Sequence, residues 1–137
     1  MPATPDPVRA ALYQHLAEDE ALAGLLTTPA AIFEEVAAPG TEPPYVVFNF
    51  QGGTDQWTFQ GGSNERALWL VKGVCRGGSA TPAEAIDARC LELLHSARLP
   101  LPNGRALHIL HEAPVRYGET VSGEQWRHRG GIYRLFT

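Results

Sequence analysis

The stretch from Arg66 to Ala97 constrains the fold most, because it joins an apolar strand to a strongly signalled helix across a Gly-Gly-Ser break. Arg66-Ala-Leu-Trp-Leu-Val-Lys-Gly-Val-Cys-Arg76 is rich in β-branched and aromatic residues, and strand alternation sorts it into two sets. Leu68, Leu70 and Val74 fall on one face, and Ala67, Trp69, Val71 and Cys75 on the other. Both faces are apolar, so both need cover. Thr81-Pro-Ala-Glu84 reads as a capping box, with Thr81 as N-cap, Pro82 at N1 and Glu84 at N3. Behind it Ile86, Cys90, Leu93, Leu94 and Ala97 recur at three- and four-residue steps, while Glu84, Asp87, Arg89, Glu92 and His95 take other angles. Burying this stripe contributes roughly 7–12 kcal/mol, at about 1.5–3 kcal/mol for each large side chain. A helix this short is marginal alone, so the stripe must lie on a sheet. It covers one face of that sheet, and what covers the other bears on function.

At 137 residues, with 44% hydrophobic and 19% charged residues, the chain reads as a single globular domain, 1–137. Its formal charge is −4 and its basic residues include a single lysine, Lys72, with no basic run, so a surface that grips many phosphates is not indicated. Passage of DNA past the protein is compatible with that charge. The start lacks a basic segment followed by an apolar run and no stretch approaches membrane-spanning length, so a cytoplasmic product is expected, with no membrane partner.

In chain order, Asp6-Pro7 opens an amphipathic helix carrying Val8, Ala11, Leu12, His15 and Leu16, expected to end near Glu18. A short helical turn follows from Asp19 to Leu26. Ala31 to Val36 reads as a short edge strand between breakers, and Pro44 to Phe50 as a strand that pairs with Leu68 to Arg76. Residues 51–64 read as a long hairpin loop in which two Gly-Gly pairs flank Asp55-Gln-Trp-Thr-Phe59. After the central helix, Leu99 to Gly104 is a Pro/Gly turn and Ala106 to Glu112 a strand that runs on through Pro114 to Tyr117 at an edge or bulge. Gly118 to Gly123 reads as a polar turn, and Gln125 to Thr137 as the last strand, bulged or kinked at Gly130-Gly131. The expected fold is α+β: a mainly antiparallel sheet with an N-terminal helix and one central helix packed on it.

The glycine pairs match neither a phosphate loop nor a dinucleotide fingerprint and read as turns and bulges. His108 and His111 point to opposite faces of a strand and His128 lies on another, so no metal site is expected. Cys75 and Cys90 sit on apolar stripes, as small buried hydrophobes do, and not in the polar setting a reactive thiol needs. No catalytic residue and no cofactor is assigned. Charge is unevenly spread: Arg116, Arg127, Arg129 and Arg134 lie in the C-terminal hairpin, against Glu18, Asp19, Glu20, Glu34 and Glu35 in the first third. Such asymmetry is either a solvated surface or a basic edge that meets a neighbour's acidic one in a ring.

The chain resembles the tail-completion, or tail-terminator, proteins of long-tailed bacteriophages and phage-derived particles. The residues that carry this are the start Val8 to Leu25, Ile32-Phe-Glu34, Pro44-Tyr-Val-Val-Phe48, Glu65-Arg-Ala-Leu-Trp-Leu70, the helix Ala83 to Arg89, and Arg127-His-Arg-Gly-Gly-Ile-Tyr-Arg-Leu135. Their order and spacing are specific, while residues 51–64 match nothing in detail. The resemblance implies a homo-oligomeric ring, usually of six copies, on the head-proximal end of the tail tube. There it would stop polymerisation of the major tail tube protein and present a surface to the head connector or stopper, with DNA passing through the lumen without specific binding. It implies a virion location in the tail or neck, assembly in the host cytoplasm, and no catalytic residues. Interface candidates are Asp55, Trp57 and Phe59 in the loop and Arg116, Trp126, Arg127 and Arg129 in the C-terminal hairpin. A head-side connector or stopper is the alternative in the same setting, and a small oligomeric α+β enzyme or ligand-binding domain the alternative outside it.

Overall fold

A computed structural model describes residues 7–57 and 63–137, with the side chains of 54–57 and 63–65 outside the described set. Helices α1 (Pro7–Ala17) and α2 (Glu20–Ala23) are followed by strands β1 (Ile32–Glu34), β2 (Tyr45–Trp57) and β3 (Ser63–Arg76), helix α3 (Thr81–Leu94), and strands β4 (Arg98–Pro100), β5 (Ala106–Val121) and β6 (Glu124–Phe136). The six strands form one sheet in the order β1-β2-β3-β6-β5-β4. All neighbours are antiparallel except β1 and β2, so the expected α+β class and the pairing of Tyr45–Phe50 with Trp69–Val74 are both present.

Helices cover one face only. From β3 that face receives Trp69, Val71 and Cys75, and from β6 Tyr133 and Leu135, all buried. From α3 it meets Ala83, Ile86, Cys90 and Leu94, the stripe expected from the sequence with Ala83 added; Leu93 and Ala97 pack at its margin. Val8, Leu12 and Leu16 of α1 and Leu22 of α2 complete the core. Three- and four-residue spacing aligns these side chains, and burial against the sheet supplies the stability that short helices lack.

Asp19 ties the helices together. Its Oδ2 accepts the Leu22 N–H at 2.7 Å as the cap of α2, and the Arg89 guanidinium of α3 grips the same carboxylate through two bonds of 2.8 and 2.7 Å. The Arg89 hydrogen bond holds the Asp19 pKa below its ordinary value, against the opposing effect of burial. The unfolded chain therefore binds this proton more readily than the folded one. The stabilisation is complete above the ordinary aspartate pKa and is lost as pH falls through the lower folded value. Asp19→Ala should cost about 2 kcal/mol at neutral pH and shrink the stability difference from wild type at low pH, which thermal melts at pH 7 and pH 3 would measure.

Several boundaries differ from expectation. Of the expected 51–64 loop, 51–57 and 63–64 are strand, extending β2 and β3, and 58–62 lie outside the described residues. The first glycine pair follows a bulge at Gln51, between Phe50 and Gly52, and a Cβ on Gly53 would lie 2.5 Å from the Arg66 carbonyl oxygen. Gly53 thus lets β2 and β3 approach, which a reading for turns misses. Gly118 to Val121 is strand too: the turn is only Ser122-Gly123, both at positive φ, as a two-residue hairpin requires. The register through Gly130-Gly131 is unbroken, and the bulge sits in β5 between His111 and Ala113, beside Pro114. Arg98–Pro100, inside the expected turn region, pairs as β4. The cap of α3 also differs. Ala80 is the N-cap, with no side-chain cap bond, while Ser79 Oγ accepts the Thr81 N–H at 3.2 Å and Glu84 turns toward Arg129 at 3.8 Å.

Candidate functional site

The face of the sheet away from the helices carries Leu68, Leu70, Lys72 and Val74 from β3, Ile132, Arg134 and Phe136 from β6, and Leu110, Val115 and Tyr117 from β5. Its two ends differ. At the Tyr45 end, the chain must return to run β2 parallel to β1, and residues 35–44 cross over this face to do so. With Tyr45, Val47, Lys72, Val74 and His128 they line an open hollow, and Val47, Val74 and His128 are buried. Elsewhere nothing among the described residues lies over the face: Leu68 is 36% exposed and Leu110 40%. A row of aliphatic side chains on an open sheet is the composition of a contact surface.

A cluster that the sequence did not signal anchors the covered end. The His128 ring stacks on Tyr117 at 4.2 Å between centroids and 8° between planes, and its Nε2 lies 2.8 Å from Glu119 Oε1. Lys72 Nζ donates to the Tyr117 hydroxyl and stands 5.1 Å from its ring centroid. Burial pushes the His128 pKa below its ordinary value, with the Glu119 bond pulling the other way. The ring is thus neutral at pH 7, Nε2–H donates to Glu119, and the buried Nδ1 has no partner. Sequence spacing alone reads this histidine as one more surface or hydrogen-bonded imidazole, because Tyr117 reaches it only through the β5–β6 register.

The C-terminal candidates divide between the faces. Arg116 and Arg129 are cross-strand partners on the helix-covered face, with Arg127 two residues along. Two facing arginines repel, and α3 offsets this with Glu84, 3.8 Å from Arg129, and with Asp87, whose carboxylate feels the Arg116 charge. Arg129 also donates to the carbonyls of Tyr117 and His128 at 3.3 and 2.9 Å, and Arg127 to Gln125 at 3.0 Å. Trp126 lies on the opposite face under Arg76, whose guanidinium is 5.7 Å from the ring centroid and pairs with Glu42 at 2.7 Å. Arg116, Arg127 and Arg129 therefore form one basic group and Trp126 belongs to another.

Asp55 and Trp57 stand in the part of β2 that pairs with Glu65 and Ser63, while β6 ends opposite Arg66. The two strands therefore project past the sheet as a ribbon. Its end lies about 40 Å along β3 from the arginine group, at about 3.3 Å per residue. Phe59 lies outside the described residues. A two-stranded ribbon is marginal in water without something to rest on.

The remaining chemistry is structural. Both cysteines are free and buried, and burial pushes the Cys90 thiol up to about 12. His108 stacks on Phe136, His111 meets the edge of Tyr133, and His15 bonds the Leu93 carbonyl. An open groove between α1 and the β1–β2 edge is lined by Ala10, Tyr13, Ile32 and Phe48, and Arg9 pairs with Glu34 there at 3.4 Å.

Comparison with known proteins agrees with this picture. A chain in the solved virion of a native gene transfer agent particle is 20% identical, with a TM-score of 0.72 over 96% of each chain. A second solved chain is 14% identical, with a TM-score of 0.62, covering 98% of this chain and 96% of that one. No curated protein matches in sequence. The model of the family described as tail completion protein gp17 matches residues 10–129, which takes in most of α1, strands β1 to β5, α3 and the start of β6 with the basic group. The chain belongs to the tail completion protein gp17 family, and is a structural, tail-associated component of phage-type virions.

Proposed function

We propose that this chain is a ring subunit seated on the head-proximal end of a phage-type tail tube, where it ends tube polymerisation and joins the tail to the head connector. The observation that carries the reading is the open sheet face, with Leu68 and Leu110 exposed and Leu70 and Ile132 half-buried beside them, in a chain of a tail-completion family. Apolar surface of this kind is stabilised by burial against a partner, at roughly 25 cal/mol per Å². The fold shared with a chain of a gene transfer agent virion supports the same setting. The ring is homo-oligomeric, six copies being the number the family resemblance implies, and its neighbours are the tail tube protein and the head-side connector or stopper. Asp55 and Trp57, in the ribbon part of β2, and Phe59, two residues further along the sequence and outside the described residues, are assigned to the contact with the tube or the next subunit, and Arg116, Trp126, Arg127 and Arg129 contribute at the other end of the sheet. A net charge of −4 suits a lumen through which DNA slides without being held. The role we assign is assembly, which the structural character of the tail completion family supports.

Deleting Gly53 to Gly61 tests the reading. The sheet body keeps its pairs from Tyr45 to Gly52, so the variant should still unfold in one cooperative thermal transition while head–tail joining falls to background. Normal joining by this variant would remove the ribbon from the interface. Purified headless tails should carry the wild-type protein; finding it only on heads would assign it to the connector or stopper side.

A further inference from the structure

Each edge of the sheet is closed along only part of its length. β1 pairs with Val46–Phe48, and among the described residues nothing pairs with the outer side of β2 from Phe50 to Trp57. β4 pairs with Ala106–His108, Ile109 exchanges backbone bonds with Ser96 and Ala97, His95 Nδ1 takes the His111 N–H at 3.1 Å, and among the described residues nothing pairs with the outer side of β5 from there to Val121. The ladder phase shows which backbone groups are free. Val46 N–H goes to Ala31 O and Glu35 N–H to Phe48 O, so even-numbered residues of β2 face outward up to the bulge, and Gly53, Asp55 and Trp57 after it. The Ser122-Gly123 turn closes the Val121/Glu124 pair, and alternation then aims the amides of Thr120, Gly118 and Arg116 outward. Pro114, which has no amide hydrogen, falls in that same outward phase.

We infer that neighbouring copies join by backbone pairing, the open edge of β5 (residues 115–120) in one copy adding to the open edge of β2 (residues 50–57) in the next. The inference rests on the ring reading above and names its subunit contact. A second copy fits better than an unrelated partner for two reasons. The edges lie on opposite sides of one sheet and are similar in length, so each copy carries both halves of a head-to-tail contact that repeats. Their flanks also differ in charge: Arg116, Arg127 and Arg129 accompany β5, while Glu34 and Glu35 stand beside β2 and Asp55 lies on it. Open edges of this length are otherwise blunted, and Pro114 blunts β5 only at its inner end, leaving 115–120 available.

The test replaces an outward amide with a proline. Arg116→Pro removes one outward donor in the phase where Pro114 is already tolerated, and Arg116→Ala removes the charge alone. Arg116→Pro should remain folded while its copy number on purified tails drops at least tenfold below that of Arg116→Ala. Equal incorporation of the two overturns the inference. Amide hydrogen exchange on wild-type protein gives a second measurement that needs no variant. Peptides covering 112–121 and 49–57 should both exchange at least tenfold more slowly in tails than in the free subunit, and protection of neither or of only one overturns the edge pairing. In each of those failures the ring reading survives. Wild-type protein absent from tails would overturn both.

Discussion

Gly130→Ala should destabilise the subunit by about 3 kcal/mol, lowering the melting temperature by roughly 10 °C. A Cβ at this position would lie 2.3 Å from the Val71 carbonyl oxygen and 2.5 Å from Lys72 Cα. Both are backbone atoms of the central strand, which is held on its other side by β2 and from above by α3, so nothing there can rotate away. Two controls separate this crowding from a general cost of losing glycine. Gly131→Ala meets the His111 imidazole at 2.7 Å, a side chain that can turn, and should cost less. Gly78→Ala meets nothing within 4 Å and should leave the melt unchanged within about 0.5 kcal/mol. Thermal melts of the three variants check the order; a Gly130→Ala protein as stable as Gly78→Ala would mean that β3 and β6 are not packed this closely.

Leu110→Glu should abolish incorporation into tails while leaving the isolated subunit folded. Leu110 is 40% exposed and lies in register with Arg134, so a glutamate here keeps solvent and gains a cationic neighbour. Its cost in the free subunit is about 1 kcal/mol or less. Buried beneath a partner, the same carboxylate loses its water, a penalty of several kcal/mol that corresponds to at least a hundredfold loss of assembly. Leu25→Glu, at a similarly exposed leucine on the helical side, should assemble normally. Counting subunits per tail by quantitative mass spectrometry decides it: a Leu110→Glu protein present at wild-type level would show that the open face is solvated in the particle.

The parts of the fold legible in the sequence are those where local pattern and burial agree. The α3 stripe and the β2–β3 pairing were readable because a helix with one apolar side has one way to lie on a sheet, and because Trp69 and Val71 alternate with Leu68 and Leu70. The Gly118–Val121 end of β5, the β2 strand beyond Phe50 and the three-residue β4 read from sequence as turns or loop. Exposed edge strands carry the polar and glycine residues that loops carry, and only pairing tells them apart. The candidate site shows the same division. Side-chain alternation separates Trp126 from Arg127 and Arg129 on sequence parity alone, whereas the meeting of Arg116 with Arg129, and of Tyr117 with His128, needed the β5–β6 register.

By itself the sequence determined an α+β subunit with a two-faced apolar strand and one well-formed helix to cover it, because periodicity is a local property that each residue states with its neighbours. Only the tertiary structure decided which face the helices take, that residues 35–44 cover a single end of the other, and that two strand edges remain open, because these depend on pairings between residues far apart in the chain.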